Sequence, residues 1–172
     1  MTHTIESFSA ECHRLIAAEN GPAGREKVRK LLESVLQDEA FVSKYLDPLD
    51  APKTVLYEDP EFGFLILGHS HKGSNDGNPH DHGPSWAVYG QARGETTMTE
   101  WKHVGPVDKE GRQPVDVRER YVLTPGKARL YNERVIHSTK RDAATRLIRI
   151  TCTDVDKVVR GRYRKATAEA TA

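Results

Sequence analysis

Residues 79–89 read Pro79-His80-Asp81-His82-Gly83-Pro84-Ser85-Trp86-Ala87-Val88-Tyr89, and the fold of the chain turns on them. Side chains i and i+2 of an extended strand share a face, so His80 and His82 can aim two neutral imidazoles at one point without tertiary help. A β-prone run follows at once. After Gly94 comes the alternating segment Glu95-Thr96-Thr97-Met98-Thr99-Glu100-Trp101. The stretch predicts a metal-binding strand pair inside a β-barrel.

Outward from this stretch the period stays at two. Lys53–Tyr57, Phe62–Leu67, Ser85–Ala92, Glu95–Val104, Arg118–Leu123, Ala128–Tyr131, Val135–Thr139 and Arg146–Thr153 are eight candidate strands. Asp59-Pro60, the Gly/Asn/Asp-rich run from Lys72 to Pro79, Asp108–Gly111 and Pro125-Gly126 supply the turns. Upstream the period is helical. Ile5, Phe8, Cys12, Leu15 and Ile16 form one stripe that Asn20-Gly21-Pro22 stops. A second helix, from Pro22 to Asp47-Pro48, carries Val28, Leu31, Leu32, Val35, Leu36, Val42, Tyr45 and Leu46. The expected fold is mainly β, a double-stranded β-helix or jelly-roll barrel with two N-terminal helices packed outside. Residues 1–50 read as the helical segment, 51–155 as the barrel and 156–172 as a C-terminal tail, all within one structural domain. The tail, with Arg160, Arg162, Arg164 and Lys165, is expected to extend the barrel edge briefly before its Ala/Thr-rich end frays.

At 172 residues the chain can bury roughly 70% of its unfolded surface, enough for a core without staples. Its 26 basic and 25 acidic side chains nearly cancel, which removes the electrostatic case for nucleic acid or an anionic membrane as partner. No apolar run reaches the ~18 residues that span a bilayer. Met1–Glu6 lacks the basic-then-apolar pattern of a signal peptide, so a cytoplasmic protein is expected, monomer or homodimer, acting on a small molecule. Cys12 and Cys152 lie far apart and read as free thiols.

Pro79-His80-Asp81-His82-Gly83, then Trp86, Tyr89 and Gly94, then Pro125-Gly126, Asn132 and His137, is similar in order and spacing to the two-part metal signature of the cupin superfamily. Within it the chain resembles the cysteine dioxygenase-like (thiol dioxygenase) branch, over roughly Val55 to Thr153. In the general cupin pattern a glutamate ligand follows the histidine pair, and here Ala87 holds that position. The resemblance thus implies a three-histidine site of His80, His82 and His137, with Fe(II) as metal and O2 as co-substrate. Imidazole also suits Zn, Ni, Mn and Cu. The implied activity is that of a mononuclear non-haem Fe(II) dioxygenase. A Zn- or Ni-dependent lyase, isomerase or hydrolase is the alternative.

His137 also stands on its own residues. It lies in Val135-Ile136-His137-Ser138-Thr139, about ten residues past a Pro-Gly turn, so a return strand can set it opposite the first pair. His3, His13 and His103 read as surface groups. His69-Ser70-His71 is a second His-x-His pair that competes for the metal or for a place in the pocket wall.

The branch also implies a Ser-x-His-x-Tyr run after the third histidine and an arginine before the first pair. Ile150, Cys152 and Asp154 stand where that run would fall, and the upstream strand offers only Lys53. These departures disfavour cysteine and point to another small organic anion, a thiol or a chelating enolate or dicarbonyl. Tyr89 and Tyr131 are candidate catalytic residues, each also readable as packing. Trp86, Ala87, Gln91, Met98, Cys152, Lys53 and Arg149 are candidate pocket residues, and a substrate carboxylate would fall to Lys53 or Arg149.

Overall fold

In the computed structural model, which describes residues 3–166, Thr4 opens helix α1 (Ile5–Ala18). Its hydroxyl accepts from the Ser7 N–H, and the Ser7 hydroxyl accepts from the Thr4 N–H, a reciprocal cap. Helix α2 (Pro22–Leu36) starts on proline, where the missing N–H has no intrahelical partner to lose. The expected continuous second helix is in fact two. Asp38 accepts from the backbone N–H groups of Ala40 and Phe41 and starts α3 (Glu39–Tyr45). The apolar stripe runs through both segments, so periodicity conceals the break and only the cap reveals it. The N-terminal layer therefore has three helices, not two.

Ten strands follow among the described residues: β1 (Thr54–Glu58), β2 (Leu65–His71), β3 (Asn75–Asp76), β4 (Ala87–Arg93), β5 (Thr96–His103), β6 (Gln113–Leu123), β7 (Ala128–Tyr131), β8 (His137–Arg141), β9 (Thr145–Thr151) and β10 (Tyr163–Lys165). One sheet has the order β1-β2-β9-β4-β7 and the other β10-β6-β5-β8-β3; every pairing is antiparallel except β10 on β6. Only the β1–β2 and β5–β6 connections stay within one sheet; every other connection crosses to the opposite sheet, which winds the chain into the double-stranded β-helix that the sequence predicts. β3 was not among the expected strands because two residues are too few for an alternating pattern. β10 is the brief extension of the barrel edge expected of the tail, three residues laid parallel on β6. The Ala/Thr-rich end at 167–172 lies outside the described residues. Among those described, no helix is long and apolar enough to cross a membrane.

Alternation divides the first sheet between two cores. Ile66, Val88, Ile148 and Ile150 pack with Phe8, Cys12, Val28, Leu32, Val35 and Phe41 of the helices. Ala87, Tyr89 and Leu147 point into the barrel, against Met98, Leu123 and Tyr131. Helix α2 sits directly on Gly90, where a Cβ would come within 2.6 Å of both Leu32 and Leu36. Gly90→Ala is therefore expected to cost about 1–3 kcal/mol in chemical denaturation by overpacking this contact. Metal binding should not change; an unaltered midpoint would mean that α2 slides freely on the sheet.

Candidate metal centre

His137 heads β8 and forms an isolated bridge with His80, the two exchanging N–H···O=C bonds of 3.0 and 2.9 Å. His82 lies beyond this bridge in irregular chain, so the expected regular strand through both histidines is not formed. The cause is Asp81. Its carboxylate accepts from the Gly83 N–H at 2.8 Å and is also reached by the Gly161 N–H and the Tyr163 hydroxyl, which curls the chain into a turn with Gly83 at φ +56°. Burial opposes the Asp81 charge, but these donors outweigh it and hold the carboxyl below its ordinary range.

The three imidazoles converge all the same. Ring centroids lie 4.6 Å apart for His80 and His137, 4.8 Å for His82 and His137, and 5.5 Å for His80 and His82. One ring nitrogen of each lies within 4.8 Å of the others, and among the described residues no acid joins the group. Nδ1 of His137 meets the Val135 carbonyl and Nδ1 of His80 the Asn78 carbonyl, each at 3.0 Å. A carbonyl only accepts, so the proton sits on Nδ1 and the Nε2 lone pair is free. Nε2 of His137 is buried without a partner, and that of His82 has only the Tyr89 hydroxyl at 3.3 Å. Burial pushes His137 down to about 3 and His82 to about 2, and lowers His80 as well; the charge of Arg149 adds to the effect in each. Neutral imidazoles with oriented lone pairs are what a divalent ion requires, so these residues fit a metal.

A cavity of about 240 Å³ opens beside His80. Its walls are His69 and His71 from β2, Tyr89 from β4, Thr139 and Arg141 from β8, and Leu147 and Arg149 from β9. The competing pair His69-Ser70-His71 is thus outside the three-histidine group but on the wall of the adjoining cavity. Nδ1 of His69 donates to the Pro52 carbonyl at 2.9 Å, and its Nε2 is buried without a partner. Arg141 escaped the sequence reading, which ended its strand at Thr139. The signal was present, since the spacing His137-x-Thr139-x-Arg141 keeps one face.

Of the expected pocket residues, Arg149 lines the cavity, beside Tyr89, one of the two candidate catalytic residues, with the guanidinium 5.9 Å from the Tyr89 ring. Ala87 and Met98 face the barrel interior but not the cavity wall. The others are corrected. Trp86 falls on the opposite face, in the helix-side core beneath Arg25. Cys152 continues the alternation of Ile148 and Ile150, away from Arg149, and its thiol donates to Ser85 at 3.2 Å. Gln91 faces inward but does not line the cavity, and its amide is turned to its own strand end, donating to the Arg93 carbonyl at 2.8 Å and accepting from Thr96 at 3.0 Å. Lys53 is held at the surface by Asp156 and Asp154. Tyr131 does not line the cavity. It stacks on the His137 ring at 4.3 Å and 16°, and its hydroxyl is bonded to Tyr121, which donates to Glu100 at 3.2 Å. It supports the His137 ring and, pushed far up by burial, keeps its proton.

The buried histidines also tie stability to pH. His69 has an ordinary value near 6.5 when unfolded and about 3 when folded, because burial penalises its charge. The unfolded chain therefore binds more protons below 6.5, and stability, complete above that pH, is lost as pH falls toward 3. For His69 alone the loss at about pH 4.5 is about 2–3 kcal/mol. Urea unfolding of the wild type and of His69→Gln at about pH 7.5 and about pH 4.5 measures it, the loss between the two pH values being smaller in the variant by that amount. An equal loss in the two proteins would mean that this ring is solvated.

The strand order, the helix layer on one sheet and the histidines inside define a double-stranded β-helix with a candidate metal centre. No family model and no curated protein matches the chain. Among solved structures it is similar to the cupin domain of Schizosaccharomyces pombe Cnp3, at 10% identity over 61% of this chain and 66% of that one, just under two thirds, with a TM-score of 0.45. It is also similar to KdgF from Halomonas sp., at 14% identity over 62% and 82% with a TM-score of 0.44, and to TT1209 from Thermus thermophilus, at 15% over 69% and 89% with a TM-score of 0.44. The fold assignment rests on the strand order itself.

Proposed function

We propose that the chain is a mononuclear cupin-type enzyme that uses Fe(II) and O2 to oxidise a small organic anion. The observation that carries this reading is the ligand set: three neutral imidazoles with converging nitrogens, no carboxylate among them, beside a cavity lined by two arginines. His80, His82 and His137 would hold the ion, which when bound supplies Lewis acidity and, as iron, a redox centre for O2. With no acid to offset its charge, the site favours an anionic chelating substrate such as a thiolate or enolate. The resemblance to the cysteine dioxygenase-like branch supports iron, and the missing Ser-x-His-x-Tyr run speaks against cysteine.

The protein's own groups have separable tasks. The Val135 and Asn78 carbonyls orient two ligand rings, and Asp81 sets the turn that delivers His82. Tyr89, whose hydroxyl lies 3.3 Å from His82 Nε2 at the cavity wall, is placed to hold or pass a proton at a substrate heteroatom. The same tyrosine supports a second reading, an O2-independent Zn or Ni lyase, isomerase or hydrolase with Tyr89 as acid or base. Metal analysis of protein purified without a His-tag, followed by an oxygen-electrode screen of thiols and β-dicarbonyls after anaerobic Fe(II) loading, tests the proposal. Oxygen uptake tied to substrate is expected. Turnover by the Zn or Ni form without oxygen would move the assignment to the second reading, and efficient cysteine turnover would overturn the substrate half.

A further inference from the structure

Arg141 and Arg149 face one cavity from opposite sheets, the first on β8 and the second on β9. Each has a buried Nε without a hydrogen-bond partner, and among the described residues neither guanidinium makes a side-chain hydrogen bond or an ion pair. Elsewhere the fold pairs its partly buried arginines: Arg25 with Glu133, Arg29 with Glu26 and Glu33, Arg129 with Glu100. Among the described residues no carboxylate lines this cavity. A buried charged donor left unpaired is costly, and two cations converging on one space repel each other. An anion seated between them removes both penalties.

The shape and size of the space narrow the anion. A guanidinium fork matches the two coplanar oxygens of a carboxylate. The cavity, about 240 Å³, has the volume of about eight waters, room for a small organic acid and little more. Thr139 and Asn75 add uncharged donors, and His80 shares the same wall, so one end of an occupant rests near the three-histidine group. Lys53 is excluded as the carboxylate partner by its bonds to Asp156 and Asp154.

We propose that Arg141 and Arg149 form a two-sided clamp for a carboxylate, so that the substrate is a small organic acid gripped at that end while its second polar group reaches toward His80. The second half rests on the metal-enzyme reading; the clamp itself does not need the metal.

The test titrates sodium succinate by calorimetry into the metal-free protein and, separately, into the zinc-loaded protein, with succinamide and inorganic phosphate as controls. Saturable succinate binding is expected without metal, at least about tenfold weaker in Arg141→Gln and in Arg149→Gln, and absent for the uncharged succinamide. Arg149→Lys, which keeps the charge and loses the fork, should fall between. Unchanged binding in either glutamine variant, or equal binding of succinamide, overturns the clamp. Phosphate binding tighter than succinate and lost in the same variants overturns the carboxylate assignment. Should the variants fail to fold, phenylglyoxal labelling of the wild type read by peptide mass spectrometry takes their place: succinate should protect Arg141 and Arg149, and absence of protection overturns the proposal. Succinate binding in a protein that takes up no zinc would leave the clamp standing and remove the metal reading; zinc uptake without succinate binding would do the reverse.

Discussion

His137→Ala should purify without metal and fail to regain it on dialysis against zinc or iron. His137 is fully buried, its Nδ1 is committed to the Val135 carbonyl and, among the described residues, its Nε2 has no hydrogen-bond partner, so its free lone pair is available to the group it forms with the other two histidines. The remaining pair is His82 and the partly exposed His80, and two imidazoles cannot supply three coordination positions. A loss of at least about a thousandfold in affinity, about 4 kcal/mol, is expected. The check is metal content by elemental analysis, with melting curves beside it. Zinc should raise the melting temperature of the wild type, because an ion that binds only the folded chain stabilises it, and should leave the variant unmoved. His69→Ala should keep its ion, since His69 lines the cavity without joining the group. The opposite pattern, retention in His137→Ala and loss in His69→Ala, would sink the ligand assignment.

Ala87→Glu is expected to split the behaviour of the metal-free and metal-loaded forms. Ala87 is fully buried, faces the barrel interior and pairs across the sheet with Tyr131, the residue stacked on His137. A carboxylate introduced there without a partner should destabilise the metal-free protein by about 3–5 kcal/mol. In the presence of zinc it becomes a fourth ligand, so most of that loss should return and metal affinity should rise while activity falls. Denaturation with zinc and with a chelator separates the two forms. A stability loss that zinc does not restore would show that Ala87 does not face the ligand set.

Much of this molecule is legible in the order of its residues because strand alternation and helix periodicity are properties of the backbone. Period two from Lys53 onward marks eight of the ten strands, and period 3.6 before it marks the helical layer. The grouping of His80, His82 and His137 follows from motif order, although the local geometry differs: a bridge and an Asp81 turn bring the rings together where a plain strand was expected. Other features depend on a choice that alternation leaves open, namely which face of a doubly buried strand meets which core. Every residue of β4 from Ala87 to Ala92 is buried, so composition cannot say that Val88 turns to the helices and Ala87 to the barrel, and for the same reason Trp86 and Cys152 could not be told from pocket residues.

What the sequence determined by itself is the barrel with its helical preface and the three histidines drawn to one site. What only the tertiary structure decided is the company they keep. His69, Tyr89, Arg141 and Arg149 come from four strands in two sheets, and their meeting in one cavity depends on the pairings β2-β9-β4 and β5-β8. Those pairings are long-range contacts, set by how two sheets and a helix layer close over their cores, and no pattern within a single strand encodes them.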